Sequence, residues 1–187
     1  MWGGGAEPLG GCNVGEAHNL LPSLLAMLSR VTVFVNSSAV PRAMKIKVWG
    51  CRGSLPSPDP DNYRYGGNTS CIQVTHGETC IILDAGSGIM RLGRFLNPAI
   101  KEVHILLSHL HIDHTMGLGF FQPLYNPQVK VHLWGPSSGQ EPLLFRLRRY
   151  FSPPLFPVKL SELPRHPEVH ELGDEEFRIG DIQVKSE

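Results

Sequence analysis

Apolar and polar positions alternate or cluster in short blocks along this chain, and most of these blocks have the pattern of β-strands. From residue 44, MKIKVWGC alternates and predicts a strand with Ile46 and Val48 on one face. VHILL at 103–107 is continuously apolar, which is typical of a strand buried on both faces. Further strands are predicted in SCIQV, TCIILDAG, VKVHLW and FRIGDIQV, the last as a hairpin.

Two helices are predicted between these strands. Ser87 can cap a helix whose apolar residues fall on one face, and Ser138 with Glu141 has the S-x-x-E spacing that starts another. Prolines and glycines between Gly53 and Gly67 predict a long surface loop of the kind that often lines a site. Strands and helices are interleaved without internal repeats, which favours a layered α/β domain.

The domain boundary is predicted near residue 44. The chain has 187 residues and 41% apolar content, enough for one core. Residues 1–43 begin with a glycine-rich segment and are predicted to be a poorly ordered or extraneous leader, so that 44–187 form the domain. The apolar stretch at 20–28 is interrupted by Pro22 and is too short to span a bilayer.

Charge and cysteine content narrow the class of partner. Lys+Arg and Asp+Glu balance at 17 each, so no global field favours nucleic acid or a membrane surface. The four cysteines lack paired CxxC spacing and are interpreted as reduced thiols. We expect a soluble, cytoplasmic protein with a small-molecule or nucleotide substrate, no membrane partner and no strong nucleic-acid signal; a homodimer stays open.

The segment after VHILL carries the chemistry. It reads SHLHIDH, and His109 and His111 are two residues apart, so in extended backbone their rings project to the same side. Asp113 and His114 follow where the chain turns into a predicted helix. Imidazole nitrogens with a carboxylate suit zinc, with manganese or iron as alternatives.

Two ions fit this run better than one, because adjacent Asp113 and His114 would be strained to reach the ion held by His109 and His111. A water bridging two ions roughly 3.5–4 Å apart becomes hydroxide near neutral pH. Asp84, in LDAG at the end of an apolar strand, is predicted to support the ligands through a hydrogen bond to a metal-bound imidazole; capping of a local turn is the alternative.

The remaining histidines are each predicted to be structural. His104 and His132 lie inside strands and His76 lies in a turn. His166 and His170 flank a loop. For a single histidine in this setting, a role in the fold is the more common one.

SHLHIDH resembles the H-x-H-x-D-H signature of the metallo-β-lactamase-fold hydrolases. VWGCRGSLPSP, RYGGNTSC, LDAGSGI, GFFQPLYNP, LWGP and SPPLFPV resemble, in order and spacing, the branch that includes phosphodiesterases and ribonuclease Z-like enzymes. The resemblance covers 44–184. It implies a four-layer αββα sandwich and a dinuclear, usually zinc, hydrolase.

The resemblance also implies roles for individual residues. His109 and His111 would bind the first ion, and Asp113 and His114 the second. Asp84 would support them, and Asp113 would also hold or shuttle the proton of the attacking water. Later ligands of the family, a third histidine, a bridging aspartate and a last histidine, have no counterpart before Glu187. We therefore expect an incomplete second half of the sandwich, weak metal retention and little turnover.

Three functions are compatible with this sequence. The first is phosphodiester hydrolysis by a metal-bridging hydroxide. The second keeps the metals and acts on a thioester or lactam, since a metal hydroxide serves both chemistries. The third is a non-catalytic, truncated product.

Overall fold

The computed structural model describes residues 31–35, 43–62 and 64–187. Within these ranges the chain forms two β-sheets and three short α-helices. The strands are β1 (Val31–Val35), β2 (Lys45–Gly50), β3 (Cys71–His76), β4 (Thr79–Leu83), β5 (Glu102–Leu106), β6 (Lys130–Pro136), β7 (Glu168–Leu172), β8 (Glu175–Ile179) and β9 (Ile182–Ser186). The helices are α1 (Gly88–Phe95), α2 (Ile112–Thr115) and α3 (Leu143–Tyr150), with 3-10 turns at Pro60–Asn62, Leu118–Phe120, Gln122–Tyr125 and Leu160–Glu162.

The larger sheet has six strands in the order β2-β3-β4-β5-β6-β7. Its first three strands are antiparallel, whereas β4, β5, β6 and β7 run parallel to one another. Each parallel connection crosses over through a helix, as parallel pairing requires. The carboxyl ends of the parallel strands therefore meet at one edge of the sheet.

The two faces of this sheet are covered differently. One face packs on the helices in a core that includes Ile89, Leu92, Ile105, Leu133 and Leu147. The opposite face packs on the second sheet, ordered β1-β9-β8, through a smaller apolar cluster. That cluster joins residues of the two sheets: Ile72, Val74, Ile81, Leu83, Leu106, Ile179, Ile182 and Val184.

The arrangement confirms the mixed α/β fold with a helical layer and two stacked sheets. Most of the predicted leader, 1–30 and 36–42, lies outside the described residues. Residues 31–35 within it form β1, which pairs with β9 along its whole length. The proposed division of the chain at residue 44 stays a prediction.

The helix α1 starts where it was predicted, directly after Ser87, whereas the predicted start of α3 was wrong. α1 begins at Gly88, and Ser87 provides no side-chain cap because its hydroxyl accepts a hydrogen bond from the Thr69 N–H at 2.9 Å. α3 begins at Leu143 after Pro142, without a side-chain cap. The α1 start therefore keeps its predicted position without the predicted cap, and Pro142 rather than the S-x-x-E pattern precedes the start of α3.

Candidate metal site at the carboxyl edge of the sheet

The SHLHIDH segment leaves the sheet at the end of β5 and turns at once into α2. His111 keeps an extended backbone, with φ −63° and ψ 155°, and is the last residue before the helix. The His114 N–H and the Thr115 hydroxyl both donate to the His111 carbonyl, at 3.0 Å each. This tight turn places residues 109–114 above the edge where the parallel strands end.

Three of the predicted ligands converge. One side-chain donor atom from each of His109, His111 and Asp113 lies within 4.8 Å of the others. The rings of His109 and His111 are 4.5 Å apart and nearly perpendicular. Two imidazole nitrogens and a carboxylate at this spacing fit a divalent transition metal such as zinc.

His114 joins this group through Asp113. The His114 Nε2 lies 3.4 Å from the Asp113 Oδ2, and the His109 and His114 rings are 4.0 Å apart. His114 is thus a neighbour of both His109 and Asp113. Its assignment to a second ion stays a prediction. We call His109, His111, Asp113 and His114 the motif cluster.

A backbone amide from the predicted surface loop holds Asp113. The Ser54 N–H donates to the Asp113 Oδ2 at 2.9 Å, and Ser54 has a left-handed backbone with φ 65°. Burial alone would raise the pKa of Asp113, but the Ser54 hydrogen bond and the charge on His114 outweigh it, and the pKa is lowered. Asp113 is therefore an ionised carboxylate at neutral pH, as a metal ligand must be.

Asp84 lies directly beneath the motif cluster and is almost fully buried. Its Oδ2 is 2.7 Å from the His114 Nδ1 and accepts from the Ser70 hydroxyl at 2.9 Å. Its Oδ1 accepts from the backbone N–H and the hydroxyl of Ser108, at 2.9 and 2.8 Å. One carboxylate thus ties together the start of β3, the end of β5 and helix α2.

The backbone of Asp84 is held in an uncommon conformation, with φ 61°. A non-glycine residue in this left-handed region costs on the order of 1 kcal/mol and persists only where its surroundings fix it. Here the Asp84 N–H donates to the Leu106 carbonyl, and the next residue, Ala85, bonds to the His114 carbonyl. The alternative of local turn capping is not what this side chain does, because its partners are Ser70, Ser108 and His114.

These contacts select the ring tautomers. With Nδ1–H donated to Asp84, His114 presents a bare Nε2 toward Asp113. With Nδ1–H donated to the Ser108 hydroxyl at 3.1 Å, His109 likewise has a bare Nε2. Burial, and then the neighbouring His114 and His111, lower the pKa of His109. Burial also acts to lower the pKa of His114, but the hydrogen bond and charge of Asp84 outweigh it and raise that pKa.

The sequence interpretation missed three serines of this site. Ser108 immediately precedes the motif and could have been noted as a hydrogen-bonding neighbour. Ser70 and Ser54 contact it only through tertiary structure, from 14 residues before Asp84 and 59 residues before Asp113. No local pattern distinguishes these two serines from other serines in loops.

The structure also groups three of the histidines that were interpreted one by one. His104, His132 and His170 lie on adjacent strands β5, β6 and β7, with ring centroids 4.2 Å apart for the first pair and 5.3 Å for the second. Glu102 and Glu168 lie beside them. We call these five residues the strand cluster. His166 is separate from it and exposed, and contacts the Ser161 carbonyl.

Helices of membrane-spanning length are absent from the described ranges. None of the helices found there is long and apolar enough to cross a bilayer.

Residues 64–185 match the family model described as the Metallo-beta-lactamase superfamily, a stretch that includes Asp84 and the whole motif cluster. Among solved structures, the metallo-beta-lactamase fold protein YhfI from Bacillus subtilis superposes with a TM-score of 0.50 at 18% identity. That superposition covers 73% of this chain and 48% of YhfI. The predicted fold class is therefore confirmed.

Related sequences are also found among bacterial and archaeal proteins. The uncharacterized protein Rv1339 of Mycobacterium tuberculosis is 36% identical over 102 residues, which are 51% of this chain and 34% of that protein. Ribonuclease Z of Thermococcus onnurineus is 26% identical over 123 residues, 64% of this chain and 37% of the enzyme. Ribonuclease Z of Deinococcus radiodurans is 35% identical over 77 residues, 40% of this chain and 23% of the enzyme. The matched part of this chain spans about a third of the length of the first of these relatives.

Proposed function

Because this chain belongs to the metallo-beta-lactamase superfamily, we propose that it is part of a metal-dependent hydrolase whose substrate is a phosphodiester. The observation that carries the proposal is the convergence of His109, His111 and Asp113 within 4.8 Å, with His114 beside them and held by Asp84. Similarity to two proteins named ribonuclease Z supports a phosphodiester as the bond cleaved.

We assign the metal ligands by the free nitrogen of each ring. His109 and His111 would hold one zinc ion, and Asp113 and His114 a second. Bound cations of this kind supply Lewis-acid chemistry, which lowers the pKa of water and neutralises oxygen charge in the transition state. Manganese and iron remain alternatives to zinc with the same donor set.

Neighbouring residues orient the two imidazole rings of His109 and His114 and keep the Asp113 carboxylate ionised. Asp84 holds the His114 ring with Nε2 outward, and Ser108 does the same for His109. The carboxylate of Asp113, held by the Ser54 N–H, would accept the proton that water loses as it attacks phosphorus. Its lowered pKa makes it a weak base, so it can take this proton only from a water that is already acidified.

The proposal can be divided further by the kind of substrate that is hydrolysed. The formal charge of the whole chain is zero, which favours a small-molecule or nucleotide diester over a long nucleic acid. If an RNA oligonucleotide were hydrolysed faster than a dinucleoside diester, the substrate would instead be RNA, as in the name of the ribonuclease relatives. Hydrolysis confined to a thioester or a lactam would replace the phosphodiester.

The test combines metal content with rates on these four substrates. His111→Ala removes an exposed ligand and is expected to weaken zinc binding at the motif cluster and to lower diester hydrolysis, each by at least about 100-fold, more than loss of an outer partner costs. His166→Ala, an exposed histidine outside the cluster, is the matched control and is expected to change neither. Zinc content and diester hydrolysis that are both the same in His111→Ala as in His166→Ala would contradict the assignment. The same assay measures the turnover expected above to be low.

A further inference from the structure

Three successive parallel strands of this protein begin with the same pattern, a charged residue, a valine and a histidine. β5 begins Glu102-Val-His104, β6 begins Lys130-Val-His132 and β7 begins Glu168-Val-His170. Residues two apart on a strand share a face, so each charged residue lies on the same side as its histidine. The valines point to the other face, where Val103 and Val131 belong to the helix-side core.

The register brings these polar side chains together in a staggered way. His104 pairs with His132, but His132 pairs with Glu168 because β7 is offset by two residues. His170 lies opposite Trp134 instead. The offset places a carboxylate and an imidazole from β7 beside the same nitrogen, Nδ1, of His132.

The distances fit a metal site. The His132 Nδ1 lies 3.0 Å from the His170 Nε2 and 3.3 Å from the Glu168 Oε2. Ligands at about 2.0–2.1 Å from a tetrahedral zinc ion are separated by about 3.3–3.4 Å from one another. We propose that His132 Nδ1, His170 Nε2 and Glu168 Oε2 bind a divalent transition-metal ion of the zinc class, at a site separate from the motif cluster.

A carboxylate prepares His132 for this role. The His132 Nε2 lies 2.7 Å from the Glu102 Oε1, and donation of Nε2–H there leaves Nδ1 with a free lone pair. A carboxylate on the outer nitrogen of a ligating histidine is the usual way in which proteins fix its tautomer and orientation. Glu102 is thus a positioning residue of the site.

Stacked rings fix the planes of both ligating imidazoles. Trp134 stacks on His170 with centroids 3.9 Å apart and planes 15° apart. His104 stacks on His132 at 4.2 Å and 12°. The His104 Nδ1 accepts from the indole N–H of Trp134 at 3.3 Å, so the proton of this ring lies on Nε2 and His104 packs beside the site without ligating.

Charge and exposure also favour a cation here. Glu102 and Glu168 outnumber the one neighbouring ammonium, that of Lys130, which lies 3.0 Å from the Glu168 Oε1 and leaves Oε2 to the imidazoles. The Glu168 side chain is 50% exposed whereas that of His132 is 7% exposed. An ion can therefore enter from the Glu168 side and meet the His132 Nδ1, which is shielded from water.

The competing explanation is a hydrogen-bonded network that only holds β7 to the sheet. In that case the His170 Nε2–H donates to the His132 Nδ1, and no ion is required. Both explanations use the same contacts, so metal binding itself has to be measured.

The experiment uses the full chain and first removes two imidazole ligands of the motif cluster. With His109→Ala and His111→Ala in place, the protein is dialysed against zinc, its metal content is measured, and zinc affinity is determined by competition with a chromogenic chelator. One equivalent of zinc is expected to remain. Cobalt titration is expected to give the intense visible bands of a four-coordinate ion with nitrogen and oxygen ligands.

Two ligand variants and a matched control then locate the ion. His170→Gln and Glu168→Gln are each expected to weaken zinc binding at least about 100-fold, and Glu102→Gln about 10–100-fold. His166→Gln, an exposed histidine outside the strand cluster, is expected to leave affinity unchanged. Glu168 is half exposed, so its variant keeps the test valid if His170→Gln does not fold.

Two results would overturn the proposal. One is the absence of zinc from the His109→Ala, His111→Ala protein while its circular dichroism and thermal unfolding stay those of a folded chain. The other is a retained equivalent of zinc whose affinity is the same in Glu168→Gln and His166→Gln. Neither result depends on whether the motif cluster supports hydrolysis.

Discussion

The motif cluster and the strand cluster are both groups of histidines and carboxylates, but the chain assembles them in opposite ways. Four members of the first lie within six consecutive residues that follow β5, and a single buried carboxylate from β4 supports them. Members of the second come from three strands and are separated by up to 68 positions in sequence. A loop motif can move as one unit, whereas the strand cluster exists only while the register of β5, β6 and β7 holds.

The comparison also concerns burial. Side chains of the Asp84–His114 pair are 5% and 7% exposed, whereas the carboxylates of the strand cluster are about half exposed. A buried carboxylate with several donors is costly to disturb, and a half-exposed one is not. The two clusters are therefore expected to respond differently to the same chemical change.

The largest expected effect comes from replacing a carboxylate by an amide in each cluster. Asp84→Asn keeps the shape, but its nitrogen cannot accept hydrogen bonds, so two of the donors from Ser70, Ser108 and His114 lose their acceptor. We expect the free energy of unfolding to fall by about 2–4 kcal/mol. Glu102→Gln, on a side chain that is 53% exposed, is expected to cost less than about 1 kcal/mol. Urea unfolding in the presence of a chelator measures both, and equal losses would remove the distinction between the clusters.

A smaller effect is expected from crowding the turn beneath α2. A Cβ at Gly86 would lie 2.3 Å from the Asp113 carbonyl and 2.3 Å from the Thr69 hydroxyl, so Gly86→Ala must displace the helix that carries two of the ligands. We expect the free energy of unfolding to fall by about 1–3 kcal/mol. Zinc binding is expected to weaken at the motif cluster and to stay unchanged at the strand cluster. Gly139→Ala is the control, because no atom lies within 4 Å of its added Cβ. Unchanged zinc affinity in Gly86→Ala would show that α2 adjusts without moving its ligands.

The smallest expected effect is a pH dependence of the strand cluster. Burial, and then the neighbouring His132, lower the pKa of His104 to about 4 from an ordinary value of 6.5. Between these values the unfolded chain binds a proton that the folded chain does not, so stability falls as the pH drops from 6.5 toward 4. Above pH 6.5 the ring is neutral in both states and contributes no pH dependence.

In His104→Asn, the loss of unfolding free energy between pH 6.5 and pH 4 is expected to be smaller by on the order of 1–2 kcal/mol. The effect is no larger because water still reaches part of the His104 ring and screens its charge. The measurement is the unfolding free energy of metal-free protein at several pH values, with His166→Gln as the control. A slope between pH 6.5 and 4 that is the same in all three proteins would mean that His104 titrates normally.

The elements of the fold were largely predictable, whereas the details of how the helices start were less so. β5 and the β8–β9 hairpin lie where the apolar runs VHILL and FRIGDIQV predicted them, because alternation and apolar clustering directly reflect which faces are buried. α1 begins directly after Ser87 as predicted, but the Ser87 hydroxyl bonds to Thr69 and Asn68 instead of capping the helix. The start of α3 was wrong because the helix begins after Pro142 and not at the S-x-x-E pattern.

The sequence by itself determined the motif cluster. His109, His111, Asp113 and His114 are so close along the chain that backbone geometry alone keeps them together, and the resemblance of SHLHIDH to a known signature points to the family that the comparison confirms. Only the tertiary structure decided between the two roles predicted for Asp84, by placing it against His114. It alone also showed that Ser54 reaches Asp113, and that a two-residue offset of β7 brings Glu168 and His170 to His132. Local spacing follows from bond geometry, whereas strand register and long-range contacts follow from how the whole core packs.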